Sequence, residues 1–173
     1  RINELIKNSD ELKFLVGFFY FSGIREFYNE LKNNENVILN VLVGMNVDFY
    51  CNQLVEVAYS SNSSNEEKIK DFFLSIKKSI NTDYFDNKEF YEQVKFFIEL
   101  IEKDRLLIRK TSKPNHSKLY LFKLNEKQIG RNRLFITGSS NLTKAGLSTQ
   151  DEFNVEISDY GYDEAENYFD ELW

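Results

Sequence analysis

The stretch that decides the fold is Lys13–Met45, KFLVGFFYFSGIREFYNELKNNENVILNVLVGM. Its first part, residues 13–21, is an almost unbroken apolar run rich in aromatic side chains, which predicts a buried strand ending at Ser22-Gly23. Residues 24–34 then place Ile24, Phe27, Tyr28 and Leu31 at helical spacing with polar residues between them. Residues 37–45, VILNVLVGM, read as a second buried strand closed by glycine. A strand, a crossover helix and a strand in this order predict a βαβ unit with parallel strands, and hence an α/β fold.

Upstream, Ile2, Leu5 and Ile6 predict a short amphipathic helix within residues 1–12. Downstream, residues 50–59 and 66–80 read as helices separated by the polar loop SSNSSN, 60–65. A longer helix is expected over 87–103, with Tyr91, Val94, Phe97, Ile98 and Ile101 on one face. No period-2 alternation interrupts this region, so residues 46–104 form a helical insertion. Strands are expected again at 105–110, 117–124 and 133–138, the last two antiparallel across a turn at 125–131. Residues 152–158 alternate, with Phe153, Val155 and Ile157 on one face, and 163–173 read as a closing helix.

At 173 residues the chain suits one domain with a proper core, 1–173. It opens on Arg1, not Met, so the expectation is a fragment of a longer protein with further domains after Trp173. No apolar run approaches the roughly 18 residues of a membrane span, no basic-then-apolar leader opens the chain, and no membrane partner is expected. The lone Cys51 excludes an internal disulfide and a cysteine-based zinc site, and a cytoplasmic setting follows.

Charge is unevenly spread. Between Arg105 and Lys144 stand Arg105, Arg109, Lys110, Lys113, Lys118, Lys123, Lys127, Arg131, Arg133 and Lys144 against one acid, Glu126. Those ten bases less one acid make +9, which leaves −15 for the rest of a chain of net charge −6. A basic block inside an acidic chain is the footprint of a polyanion site, or a solvated basic face. The block contains the only histidine, in NHSKLYLF (115–122). On a strand, His116 and Lys118 project together, placing a titratable base beside a fixed cation. TGSSNLTKAG (137–146) follows from a neighbouring strand, and its small residues Gly138, Ser139 and Ser140 let a ligand approach the backbone. Asn141 adds a neutral donor, and Glu152 heads the next strand. Adjacent strand ends would gather these residues at one edge of a sheet.

With His116-Ser117-Lys118, Gly138-Ser139-Ser140-Asn141 and an acid eleven positions on at Glu152, the chain resembles the phospholipase D superfamily, in particular its single-motif, helicase-fused and restriction nucleases. The resemblance implies a mixed β-sheet flanked by helices. One position departs from it: Lys123 stands where the family pattern has an aspartate seven residues after the histidine. By the resemblance that aspartate is a supporting residue. Its loss weakens a lipid-directed reading more than a nuclease one.

What the resemblance implies is a metal-independent phosphodiesterase acting on DNA, or RNA, without a cofactor. Family enzymes use two His-x-Lys motifs, so a chain with one histidine implies a homodimer sharing one active site. His116, Lys118, Asn141 and Glu152 would be catalytic, with Glu152 orienting the imidazole. Ser139, Ser140 and Lys144 would border the substrate, and so would Tyr20 and Ser22, because sites commonly lie at the carboxyl ends of parallel strands. The alternative is an idle module that binds nucleic acid and dimerises its host. A phospholipid-directed enzyme is the third reading.

Overall fold

A computed structural model describes residues 1–47, 52, 64, 67, 88–127, 130, 132–149 and 151–173. The helices expected at 50–59 and 66–80 and the loop 60–65 lie, but for single positions, outside them. The sheet is built around β1 (Ser9–Phe19), whose residues 14–17 are buried on both faces. β2 (Ile38–Val47) runs parallel to it, with Phe14 against Val41 and Val16 against Val43. The expected βαβ unit is present. Its crossover starts earlier and is more broken than its periodicity implied: α2 (Phe21–Ile24), a 3-10 turn at Arg25–Phe27 and α3 (Tyr28–Asn33).

The other strands are β3 (Leu106–Lys110), β4 (Leu119–Leu124), β5 (Arg133–Gly138) and β6 (Asn154–Ile157). Their order is β3-β2-β1-β4-β5-β6. β3 is parallel to β2, whereas β4, β5 and β6 join by antiparallel pairing. This mixed topology brings the carboxyl ends of β1, β2, β3 and β5 to the same sheet edge as the amino ends of β4 and β6.

Helices cover both faces, so neither face reads as simple alternation. One carries α1 (Ile2–Lys7), α2, α3 and α4 (Lys88–Glu102) over Phe14, Val16, Val41, Val43, Tyr120 and Phe122. At its centre the Phe14 ring meets Phe27, Tyr120 and Phe122 edge-on, with centroids 6.2, 5.0 and 5.5 Å away. The other face is closed by α5 (Tyr162–Leu172), which lays Tyr162 and Phe169 over Leu15, Leu42, Leu119, Leu121 and Phe135. Opposite charges hold α5 at its rim. Lys13 Nζ lies 2.8 Å from both Glu166 and Asp170, and Arg133 meets Asp163 at 2.6 Å.

Three expectations are corrected. The first helix ends at Lys7, not near 12, because Asn8 and Ser9 turn their side chains back onto it: Asn8 Nδ2 donates to Glu4 O (2.9 Å) and Ser9 Oγ to Leu5 O (2.8 Å). Tyr91 is exposed at 39%, since the buried arc of α4 runs through Phe90, Val94, Phe97 and Ile101. β6 starts at Asn154 and lies at the sheet edge, so Phe153 and Val155 face solvent and Ile157 alone packs inward.

Phe169 is 1% exposed and anchors α5. Phe169→Ala is expected to cost about 3–5 kcal/mol in urea unfolding. A loss below about 1 kcal/mol would mean that the rim charges, not the ring, dock the helix.

Candidate active site

The segment that carries the histidine is built by what it lies on. His116 and Lys118 were expected on a strand; they sit instead in the extended stretch between β3 and β4, just before Leu119. This stretch follows the end of β2, where Thr111 N–H donates to Val43 O (3.0 Å) and Asn115 N–H to Gly44 O (2.9 Å). The Asn115 side chain secures the turn from both sides: its Oδ1 accepts from Ser117 N–H (2.8 Å), and its Nδ2 donates to the Tyr168 hydroxyl on α5 (2.9 Å).

Two glycines make this crossing possible. A Cβ on Gly44 would stand 1.8 Å from Asn115 O, and one on Gly17 would stand 2.9 Å from His116 Cδ2. Backbone and ring therefore rest directly on β2 and β1. The β1–β2 register shifts between Val16 and Phe18, the kind of irregularity that re-aims side chains beside functional sites.

Although off the strand, His116 and Lys118 do project together. Lys118 Nζ donates to His116 O at 2.7 Å and lies 3.0 and 2.9 Å from the two ring nitrogens. The lysine is only 7% exposed, whereas His116 is open to solvent. Burial holds the Lys118 pKa below its ordinary 10.5, an effect partly offset by the negative charge of Glu152. Among the described residues no carboxylate comes within ion-pair distance of it. The ammonium is held in place but not neutralised.

Asn141 follows β5 and is pinned to the end of β1. Phe18 N–H donates to Asn141 Oδ1 (3.0 Å), Tyr20 N–H donates to Leu142 O (3.0 Å), and Phe19 bridges Leu142. With Oδ1 taken and no acceptor for Nδ2 among the described residues, the carboxamide has its NH2 left to offer. A Cβ on Gly17 would also stand 3.2 Å from this Oδ1, so His116 and Asn141 share one floor. Phe18 backs the imidazole edge-on, at 6.0 Å between centroids.

The other expected residues have mixed placements. Ser139 Oγ accepts from Phe153 N–H (3.1 Å) and Ser140 Oγ from Asn154 Nδ2 (2.7 Å), so both hydroxyls hold the turn. Tyr120, fully buried, donates from its hydroxyl to Ser140 O (2.8 Å). Tyr20 and Ser22 are half-buried at the carboxyl end of β1, and Lys144 is exposed three residues past Asn141. Glu152 lies just before β6, not on it, and is half-buried. Its charge acts on Lys118 and Tyr120, while among the described residues the ring nitrogens of His116 contact Lys118 and not Glu152. Glu152 also lines a polar cleft with Arg1, Ser140, Asn154 and Glu156, to which neither His116 nor Lys118 contributes.

The basic block divides. Lys110, Lys113, Lys118 and Lys144 belong to the His116 edge. Arg105 is spent at the opposite edge on Asn34 O (2.8 Å), Arg133 pairs with Asp163, and Arg109 lies over the Trp173 ring at 4.4 Å. Lys123 lies near the far end of β4 and Lys127 beyond it, and Arg131 lies outside the described residues. Among the described residues no three His, Cys, Asp or Glu side chains converge to hold a metal ion, and no helix is long and apolar enough to cross a membrane.

The family model described as "Cardiolipin synthase, PLD-like domain" matches residues 2–173. The chain belongs to the phospholipase D-like family. No curated protein gives a match. Membership of this phospholipase D-like family supports chemistry at phosphodiester bonds, and the mixed sheet flanked by helices agrees with its fold. Gly17, Gly44, Phe18, Tyr120 and Asn154 went unnoticed as parts of the site. A lone glycine inside a buried strand run was the available signal.

A buried ammonium with no carboxylate at ion-pair distance among the described residues costs stability. Lys118→Met is therefore expected to raise stability by about 0.5–2 kcal/mol at pH 7. The folded pKa is the lowered one, so the unfolded chain binds this proton more readily. The wild type regains stability as pH rises through the folded value towards 10.5, and the advantage of Lys118→Met shrinks over that window. Thermal unfolding from pH 7 to 10.5 measures both; a destabilised variant would mean that the ammonium is structural.

Proposed function

We propose that this domain is a metal-independent phosphodiesterase acting on nucleic acid, with its active site completed by a second copy of the chain. The observation that carries the reading is the convergence of His116, the Lys118 ammonium and the Asn141 carboxamide at one sheet edge, presenting donors around a solvent-open imidazole. Lysines 110, 113 and 144 at the same edge favour a polyanion over a small neutral substrate. Since the chain holds one histidine, the second imidazole comes from a two-fold related copy.

In the first step a ring nitrogen of His116 attacks phosphorus. A P–N bond forms as the P–O bond to the leaving group breaks, and the imidazolium of the second copy gives its proton to the departing oxygen. Water then attacks phosphorus, the P–N bond breaks, and the second imidazole takes the water proton. Lys118 and Asn141 hold the non-bridging oxygens, where charge develops. Glu152 acts here through its field on Lys118; a direct bond to the imidazole would require it to move in the assembled dimer. The lone Cys51 supports a reducing, cytoplasmic setting.

Purified protein is expected to cleave DNA in excess EDTA and to sediment as a dimer at micromolar concentration. His116→Ala should abolish cleavage, and Lys118→Met should lower turnover about 10²–10³-fold. A dimer that cleaves no single- or double-stranded DNA or RNA, with EDTA or with magnesium, would instead be a nucleic-acid-binding module. Hydrolysis of phospholipid vesicles in preference to nucleic acid would move the substrate to lipid.

A further inference from the structure

We propose that the Gly17–Phe18 peptide is a positioning element for the anion pocket: it seats the His116 imidazole and turns the Asn141 carboxamide so that a phosphoryl-class oxyanion meets the carboxamide NH2 and the Lys118 ammonium beside the reacting ring nitrogen. The proposal rests on the reading of His116 as the reacting group, and it names the part of β1 that tunes that group.

The steric half of the device is the missing side chain. An ideal Cβ on Gly17 would lie 2.9 Å from His116 Cδ2, 3.6 Å from Nε2 and 3.2 Å from Asn141 Oδ1. Ring and carboxamide thus close on the same bare Cα, and that Cα sets their separation. Anything larger than hydrogen there pushes two groups outward together. The nearest of these contacts is shorter than real Cβ contacts allow, and its neighbour is a ring already backed by Phe18.

The polar half is the next peptide. Where the β1–β2 register shifts, the Phe18 N–H donates to Asn141 Oδ1 at 3.0 Å. This fixes which end of the carboxamide faces the pocket. A second acceptor close by is occupied too: His116 O takes the Lys118 ammonium at 2.7 Å. The groups left for a ligand are an ammonium, a carboxamide NH2 and an imidazole. With these two oxygens turned away, the ammonium and the carboxamide NH2 beside the ring favour a ligand rich in oxygen lone pairs.

His116 is the only histidine, so its ring Cδ2–H and Cε1–H resonances are unambiguous in 13C-edited NMR of the full chain. In Gly17→Ala the Cδ2–H signal of the free protein should move, and affinity for inorganic phosphate, followed at the same signals, should fall about tenfold or more. Turnover should fall about 10²-fold, the scale of an ångström-level misplacement. Stability provides a second test. Gly17→Ala should lower Tm in the wild-type background but much less in a His116→Ala background, where the ring it meets is gone. A Gly17→Ala chain too unstable to study should recover its fold in that double variant.

Unchanged ring signals with unchanged phosphate affinity would overturn the proposal, as would equal Tm losses in the two backgrounds. A wild type that binds phosphate at His116 yet cleaves no diester would remove the phosphodiesterase reading. The positioning role would then still be judged by the ring signals and the two backgrounds.

Discussion

The site depends on one close approach: residues 111–118 cross the carboxyl ends of two parallel strands where neither strand has a side chain. Asn115 lies on Gly44 and His116 on Gly17, and either glycine's Cβ would occupy the space. Around that crossing the hydrogen bonds are local and numerous, from Thr111 to Val43, Asn115 to Gly44 and Tyr168, and Phe18 to Asn141. An irregular segment held this way is as well defined as a strand. It also leaves the imidazole open to solvent, as the proposed role of nucleophile requires.

The same arrangement explains where stability is surrendered. The sheet is covered on both faces and its largest fully buried side chains are mostly aromatic, yet Lys118 is buried with no carboxylate at ion-pair distance among the described residues. A neutral or paired side chain would serve the fold better there, and a local conflict of this kind is what functional sites commonly show. Elsewhere the acidic α5 is matched to Lys13 and Arg133, so part of what read as a ligand-attracting charge pattern is internal bookkeeping between a helix and its sheet.

Much of this was legible in the residues. The parallel start, the antiparallel strands after residue 117 and the helices at 88–102 and 162–172 follow from periodicity, and periodicity is set by burial on one or both faces. His116, Lys118 and Asn141 were legible as a set because their chemistry is distinctive and their spacing matches a family pattern. The misplacements share a cause. His116 and Lys118 were expected on a strand, Glu152 at the head of another, and Phe153 on one face with Val155 and Ile157, each by extending an alternation one to three residues too far. Strand ends are set by hydrogen-bond partners, and those partners are distant in sequence.

By itself, then, the amino-acid order determined the class of fold, the family and the candidate trio His116, Lys118 and Asn141, since these depend on local pattern and on side-chain type. Only the tertiary structure decided how the members meet: that Gly17 is the floor under both His116 and Asn141, that Ser139 and Ser140 hold the turn, and that Arg105, Arg109 and Arg133 are spent away from the site. Those outcomes depend on which atoms come within a few ångströms across separations from 14 residues, between Ser139 and Phe153, to 123, between Phe18 and Asn141. No local pattern encodes such distances; packing the whole sheet does.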